Sequence, residues 1–156
     1  MIKAFLFDFS RTLLFPKDKN YTGGLNSLHK GLSENANYRF LDNFELNKEL
    51  MDYLFSIKEK MSIYMFTSET IQETPEIKSG VSKVFSRIFS AKEMGMDKKD
   101  PETYKFISNE LKLEPNEIVF VDDNSKNIEA AKKAGINVFQ YKNNSVIDNL
   151  EEIRGF

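Results

Sequence analysis

The chain has 156 residues, 40% hydrophobic and 13% aromatic, with no cysteine; that suits one domain with a bulky core and excludes a disulfide framework or a thiolate metal site. Its 22 basic and 24 acidic residues leave a net charge of -2, which argues against nucleic acid or an anionic membrane surface as partner. No apolar run approaches the ~18 residues of a membrane span and the first residues carry no cleavable signal pattern, so a soluble, cytoplasmic protein is expected.

Ile2 to Phe7 is an apolar run of strand length, the pattern of a strand covered on both faces, and it ends on Asp8. Arg11 to Leu14 continue it as a tight, partly apolar segment. Pro16, Asp18, Asn20, Gly23 and Gly24 punctuate the stretch from Phe15 to Gly24, which reads as loop or a small flap. Leu25 to Gly31 reads as a short helix, and Ser33 to Asn43 as polar and irregular.

Leu46, Leu50, Tyr53, Leu54 and Ile57 then recur at helical spacing. Ser62 to Phe66 is a second strand, ending at Thr67-Ser68-Glu69-Thr70, whose hydroxyls suit a helix cap or an anion. Ile77, Val81, Val84 and Phe85 mark a helix, and Arg87 to Ser90 a short third strand. Asp100-Pro101 is a helix start, with Asp as N-cap and Pro at the first helical position; Tyr104, Ile107 and Leu111 form its apolar stripe. Ile118 to Val121 is the fourth strand, ending on Asp122-Asp123-Asn124. A helix from Asn124-Ser125 buries Ile128, Ala131 and Ala134 and stops at Gly135. Asn137 to Tyr141 is the fifth strand, and Val146, Leu150 and Ile153 mark a last helix.

This alternation predicts a single α/β domain: a three-layer, Rossmann-like, open parallel sheet with helices on both faces. In such sheets ligands bind beyond the carboxyl ends of the strands. If the first and fourth strands are neighbours, Asp8, Asp122 and Asp123 meet there. Two such charges about 4 Å apart repel by roughly 4 kcal/mol at an effective dielectric near 20. A hard divalent cation with oxygen ligands, Mg²⁺ above all, is the simplest answer.

Four segments together resemble the haloacid dehalogenase superfamily of phosphatases and phosphotransferases. They are the strand with Asp8-Phe9-Ser10-Arg11-Thr12-Leu13, the strand ending in Thr67-Ser68, Lys98-Lys99-Asp100-Pro101-Glu102-Thr103-Tyr104, and Val121-Asp122-Asp123-Asn124 followed by Asn127-Ile128 and Ala130-Ala131. The resemblance implies Asp8 as the nucleophile that becomes an aspartyl phosphate, with Thr67, or secondarily Ser68, binding the phosphoryl oxygens. It implies Lys98 as the neutralising cation. It implies a Mg²⁺ site from Asp8, the backbone carbonyl of Ser10, and Asp123 or Asp122.

Three departures stand out. The family's phosphatases carry a general acid/base Asp two residues after the nucleophile, where this chain has Ser10; a hydroxyl of very high pKa serves that role poorly. Arg11 replaces the usual Gly, and is placed to meet a substrate anion or to lie on the surface. Residues 15–45 are too few and too polar for a full cap domain, so they are read as a reduced cap or flap. The expectation is a slow or specialised Mg²⁺-dependent hydrolase of a phosphate ester or acyl phosphate, small or macromolecular. The alternative is a catalytically impaired binding or regulatory protein. The lone histidine, His29, reads as surface or packing. Leu25, Leu28, Leu32, Phe40, Leu41 and Phe44 offer an apolar face for a second copy of the chain.

Overall fold

The computed structural model describes residues 1–155. In chain order the strands are β1 (Ala4–Phe7), β2 (Leu14–Pro16), β3 (Phe44–Leu46), β4 (Ser62–Thr67), β5 (Arg87–Ser90), β6 (Ile118–Asp122) and β7 (Asn137–Gln140). The helices are α1 (Leu25–Ser33), α2 (Phe40–Asn43), α3 (Lys48–Ile57), α4 (Pro75–Ser82), α5 (Ala91–Met94), α6 (Pro101–Leu111), α7 (Ser125–Lys133) and α8 (Val146–Arg154).

Five strands form one parallel sheet in the order β5-β4-β1-β6-β7. β1 is central and fully buried. Its side chains alternate between two cores, as a pleated strand requires. Phe5 and Phe7 join Leu50 and Leu54 of α3, Ile77 and Val81 of α4, and Val146 and Leu150 of α8. Ala4 and Leu6 join Tyr104 and Ile107 of α6 and Ala130 and Ala131 of α7 on the other face. Each buried Phe contributes about 1.5–3 kcal/mol relative to an exposed one, which explains why the sheet centre is the rigid platform of the molecule.

Local chemistry sets the helix ends. The Asp100 carboxylate accepts the Glu102 backbone N–H (2.9 Å) ahead of Pro101. Asn124 likewise accepts from Lys126 (2.9 Å) and Asn127 (3.2 Å). After α7 the chain turns at Gly135, whose φ of 92° lies in the left-handed region that glycine tolerates.

The structure corrects the sequence reading at several points. Phe15 and Pro16 are not loop: with Leu14 they form β2, which pairs antiparallel with β3, Leu14 opposite Leu46 and Pro16 opposite Phe44. Leu46 therefore belongs to this ribbon, and Asn47 caps α3 by accepting from Leu50 N–H (3.3 Å). Segment 9–14 does not continue β1. The backbone N–H groups of Leu13 and Leu14 turn back to the Phe9 carbonyl (2.8 and 3.0 Å). The stretch from Ser33 to Asn43 ends in α2, with Phe40 buried. Val84 and Phe85 are buried beyond the end of α4 rather than on it. On α7 the inward positions are Asn127, Ala130 and Ala131, leaving Ile128 half-buried.

Residues 17–43 leave and re-enter through the β2–β3 ribbon. Phe40 and Phe44 stack at 4.7 Å, His29 packs edge-on against both, and its Nδ1 is 2.8 Å from the Tyr38 hydroxyl. Burial pulls the His29 imidazole below its ordinary value. Of the six apolar side chains offered to a second copy, Leu25, Phe40 and Phe44 are spent in this chain's own core. Leu41 is the one left exposed. No helix among the described residues is long and apolar enough to cross a membrane.

Candidate active site

Phe7 lies opposite Met65 of β4 and Val121 of β6. One residue further on, Asp8 is level with Phe66 and Asp122, and its N–H donates to the Val121 carbonyl (2.9 Å). Thr67 is the last residue of β4. The parallel register alone thus gathers three strand ends into one cleft, as the open-sheet rule requires. Asp8, Asp122 and Asp123 each present a carboxylate oxygen within 4.8 Å of the others.

Lys98 enters this cluster from the loop before α6. Its Nζ donates to Asp8 Oδ1 (2.6 Å) and to the Phe66 carbonyl (3.1 Å), and lies 3.2 Å from Asp122 Oδ2. It is 7% exposed, whereas Lys92 and Lys99 point to solvent. The charged run therefore contains one buried lysine, aimed at the carboxylates. Asp122 accepts from the Asn124 N–H at Oδ1 (2.8 Å) and from Asn127 Nδ2 at Oδ2 (2.9 Å).

One ammonium does not balance three carboxylates. Burial, only partly opposed by Lys98 and reinforced by Asp122, holds the Asp8 carboxyl well above the usual carboxylate range. Burial and the adjacent Asp122 push Asp123 up to about 6. Burial by itself would pull Lys98 down, but Asp8 and Asp122 outweigh it and hold its ammonium above the ordinary value.

The hydroxyls are distributed unevenly. Thr67 Oγ1 and Ser10 Oγ are buried and have no hydrogen-bond partner among the described residues. Ser68 is exposed and lines the cleft. Arg11 adopts a left-handed conformation (φ 62°), which is costly for a side chain bearing a Cβ. Its guanidinium donates to the carbonyls of Tyr21 (3.1 Å) and Gly23 (2.6 Å). That guanidinium ties the 21–23 segment to the turn after Asp8.

Three residues of the family-like segments were given no role at the site by the sequence reading. Thr12 Oγ1 donates to Asp8 Oδ2 (3.4 Å); its place four residues after Asp8, in a tight turn, was the available signal. Asn127 holds Asp122, three positions after the capping Asn124. Tyr104, read as part of the third segment and as core, donates its hydroxyl to the Lys98 carbonyl (2.6 Å) and so fixes the lysine's backbone. Tyr104→Phe is expected to lower stability by about 1–3 kcal/mol, the cost of a buried carbonyl left unsatisfied. The check is a lower urea midpoint with an unchanged slope.

The family model of haloacid dehalogenase-like hydrolases matches residues 6–141. Bifunctional epoxide hydrolase 2 of Rattus norvegicus is 33% identical over 76 residues, 48% of this chain and 14% of that protein. D-ribitol-5-phosphate phosphatase of Bacteroides thetaiotaomicron is 26% identical over 112 residues, 67% of this chain and 53% of that protein. The chain therefore spans about half the length of these curated relatives, or less. A haloacid dehalogenase family enzyme from Bacteroides thetaiotaomicron, crystallised with magnesium and inorganic phosphate, superimposes with a TM-score of 0.68. That match has 19% identity and covers 91% of this chain and 95% of that one, a likeness of fold. With the model matching most of its length, the chain belongs to the haloacid dehalogenase-like hydrolases and is related to the phosphatases among them.

Proposed function

We propose that this site is a Mg²⁺-dependent phosphoryl-transfer centre with Asp8 as nucleophile, acting on a phosphate ester or acyl phosphate. The observation that carries the reading is the pair of buried, unpartnered hydroxyls, Thr67 Oγ1 at the end of β4 and Ser10 Oγ two residues after Asp8, together with the Asp8–Lys98 ion pair. A buried donor without a partner costs about 1–3 kcal/mol, and phosphoryl oxygens are acceptors for both.

The donor set suits a hard dication: three carboxylates and no thiolate or imidazole. Asp8, Asp123 and the Ser10 backbone carbonyl would hold Mg²⁺. Asp122, whose two oxygens already accept from Asn124 and Asn127, would orient the site from behind. When bound, Mg²⁺ supplies Lewis-acid neutralisation of charge on the phosphoryl oxygens.

The rest falls to the chain's own residues. An Asp8 oxygen attacks phosphorus, the bond from phosphorus to the leaving oxygen breaks, and that oxygen keeps the electron pair. Lys98 offsets the charge on Asp8 and the phosphoryl group, while the Thr67 hydroxyl donates to a phosphoryl oxygen. Water then attacks the aspartyl phosphate, releasing phosphate and restoring Asp8. Ser10 donates a hydrogen bond but relays no proton at neutral pH. Absence of that relay costs typically about 10²–10⁴-fold. Leaving groups that need no protonation are therefore favoured, and the phosphoenzyme is long-lived.

Intact mass after incubation with Mg²⁺ and acetyl phosphate tests this, with Asp8→Asn as control. The expected result is a persistent added phosphoryl mass on the parent alone. In Ser10→Asp the adduct should disappear while phosphate release rises by about 10²–10⁴-fold. Neither adduct nor release in either protein would move the assignment to a binding module without turnover.

A further inference from the structure

The cleft beyond the strand ends has two lobes. One, of about 210 Å³, lies between Asp8, Asp123 and the Gly24–Asn26 start of the insert helix α1. The other, of about 480 Å³, runs along Ser68, Glu69 and the segment from Ala91 to Lys99. Both lobes are bordered by Ser68, Lys98, Asn124 and Asn127, so a group held at Asp8 opens onto each.

The smaller lobe, which holds the carboxylates, has less than half the volume of the larger. A phosphoryl group and a hydrated cation fill such a space. Arg11, the one cation on its insert side, is already committed to the Tyr21 and Gly23 carbonyls. The remainder of a substrate must therefore extend into the larger lobe.

The wall of that lobe is specific. Ala91 and the half-buried Met96 give it an apolar floor. Lys92 and Lys99 stand exposed on it, and neither has an ion-pair partner among the described residues. Its two acids weigh less: Glu69 is paired with Lys30 (2.8 Å). Asp97, which accepts the Lys99 backbone N–H (2.9 Å), is a single carboxylate against two ammoniums.

Building on the phosphoryl-transfer reading, we propose that the leaving group has a short apolar body and a second anionic group that docks between Lys92 and Lys99. The apolar body lies on Met96 and Ala91, the anion meets the two ammoniums, and the phosphoryl end reaches Asp8. The substrate class is thus a small phosphorylated acid rather than a neutral alcohol phosphate.

The test compares phenyl phosphate with 4-carboxyphenyl phosphate, which differ by one carboxylate. Dissociation constants are measured calorimetrically with Mg²⁺ on Asp8→Asn, and KM is measured on the parent. The carboxylated ester is expected to bind about tenfold tighter, the scale of two exposed charge pairs, with the preference shrinking as salt is raised. In Lys92→Gln/Lys99→Gln the ratio of the two esters should fall to near one, and Lys92→Arg/Lys99→Arg should restore it. Equal affinity of the two esters, or a preference that survives the Gln pair, overturns the proposal. A lysine-dependent preference in binding, with no phosphate released by the parent, upholds the anion pocket and overturns the hydrolase reading. Failure of both esters to bind overturns both.

Discussion

Lys98→Met is expected to destabilise the metal-free protein by about 3–5 kcal/mol at pH 7.5, the usual cost of removing one partner from a buried ion pair. That is a large share of the roughly 5–15 kcal/mol that holds a domain together. Met keeps an unbranched apolar stem but loses the contact of the ammonium with the Phe66 and Phe120 rings, whose centroids lie 5.0 and 5.9 Å from Nζ. What it removes is the single ammonium between Asp8 and Asp122. The deficit should depend on pH with a definite sign. Asp8 and Asp123 both have folded-state values above the ordinary 3.8. A carboxyl raised in this way contributes stability that is fully present below its unfolded value and lost as pH rises through its folded value. Without Lys98 the Asp8 value climbs further, so the deficit is greatest at pH 7.5 and shrinks towards pH 5. Urea midpoints at the two pH values check this, and an equal deficit at both would assign the loss to packing instead of charge.

Asp8→Asn should separate activity from stability. Turnover is expected to fall by at least about 10⁴-fold, over 5 kcal/mol of barrier, because an amide oxygen cannot take the phosphoryl group. Unfolding temperature in the absence of metal should stay level or rise. Burial is the main reason the Asp8 carboxyl is raised, so its ionised form works against folding at neutral pH. Lys98 in the variant keeps Asp122 and the Phe66 carbonyl. The check is phosphate release beside a thermal melt. Parent-like turnover in the variant would place the nucleophile elsewhere.

Most of the sheet and the carboxylate cluster were legible in the sequence because each depends on short local patterns. An apolar run ending in Asp marks a strand and its mouth at once, and two such runs fix Asp8 and Asp122 once the strands are neighbours. Lys98 could be told from Lys92 and Lys99 only through its place in the family segment, since burial is a tertiary fact. The insert was less legible. Strands of three residues, one containing Pro16, lie below any periodic signal, and the stacking of Phe40 on Phe44 comes from contacts that the ribbon itself creates. The role of Arg11 was hidden for a similar reason: its carbonyl partners lie ten and twelve residues away on a segment without regular structure.

The β2–β3 ribbon has a consequence for how such a chain can change. Residues 17–43 depart and return at one point, where Pro16 faces Phe44 and the Lys17 N–H donates to the Asn43 carbonyl (2.9 Å). With both ends pinned together, doubling the length between them adds only about 0.6 kcal/mol of closure entropy. The central five-stranded sheet bears no part of that change, so its register, and with it the spacing of Asp8 to Asp122, is insulated from the exchange. The ribbon is in effect a graft port: what covers the cleft can be enlarged, trimmed or swapped while Asp8, Thr67 and Asp122 stay where β1, β4 and β6 put them. The lobe beside Gly24–Asn26 can thus be reshaped by exchanging a single contiguous segment, without rebuilding the strand ends beneath it.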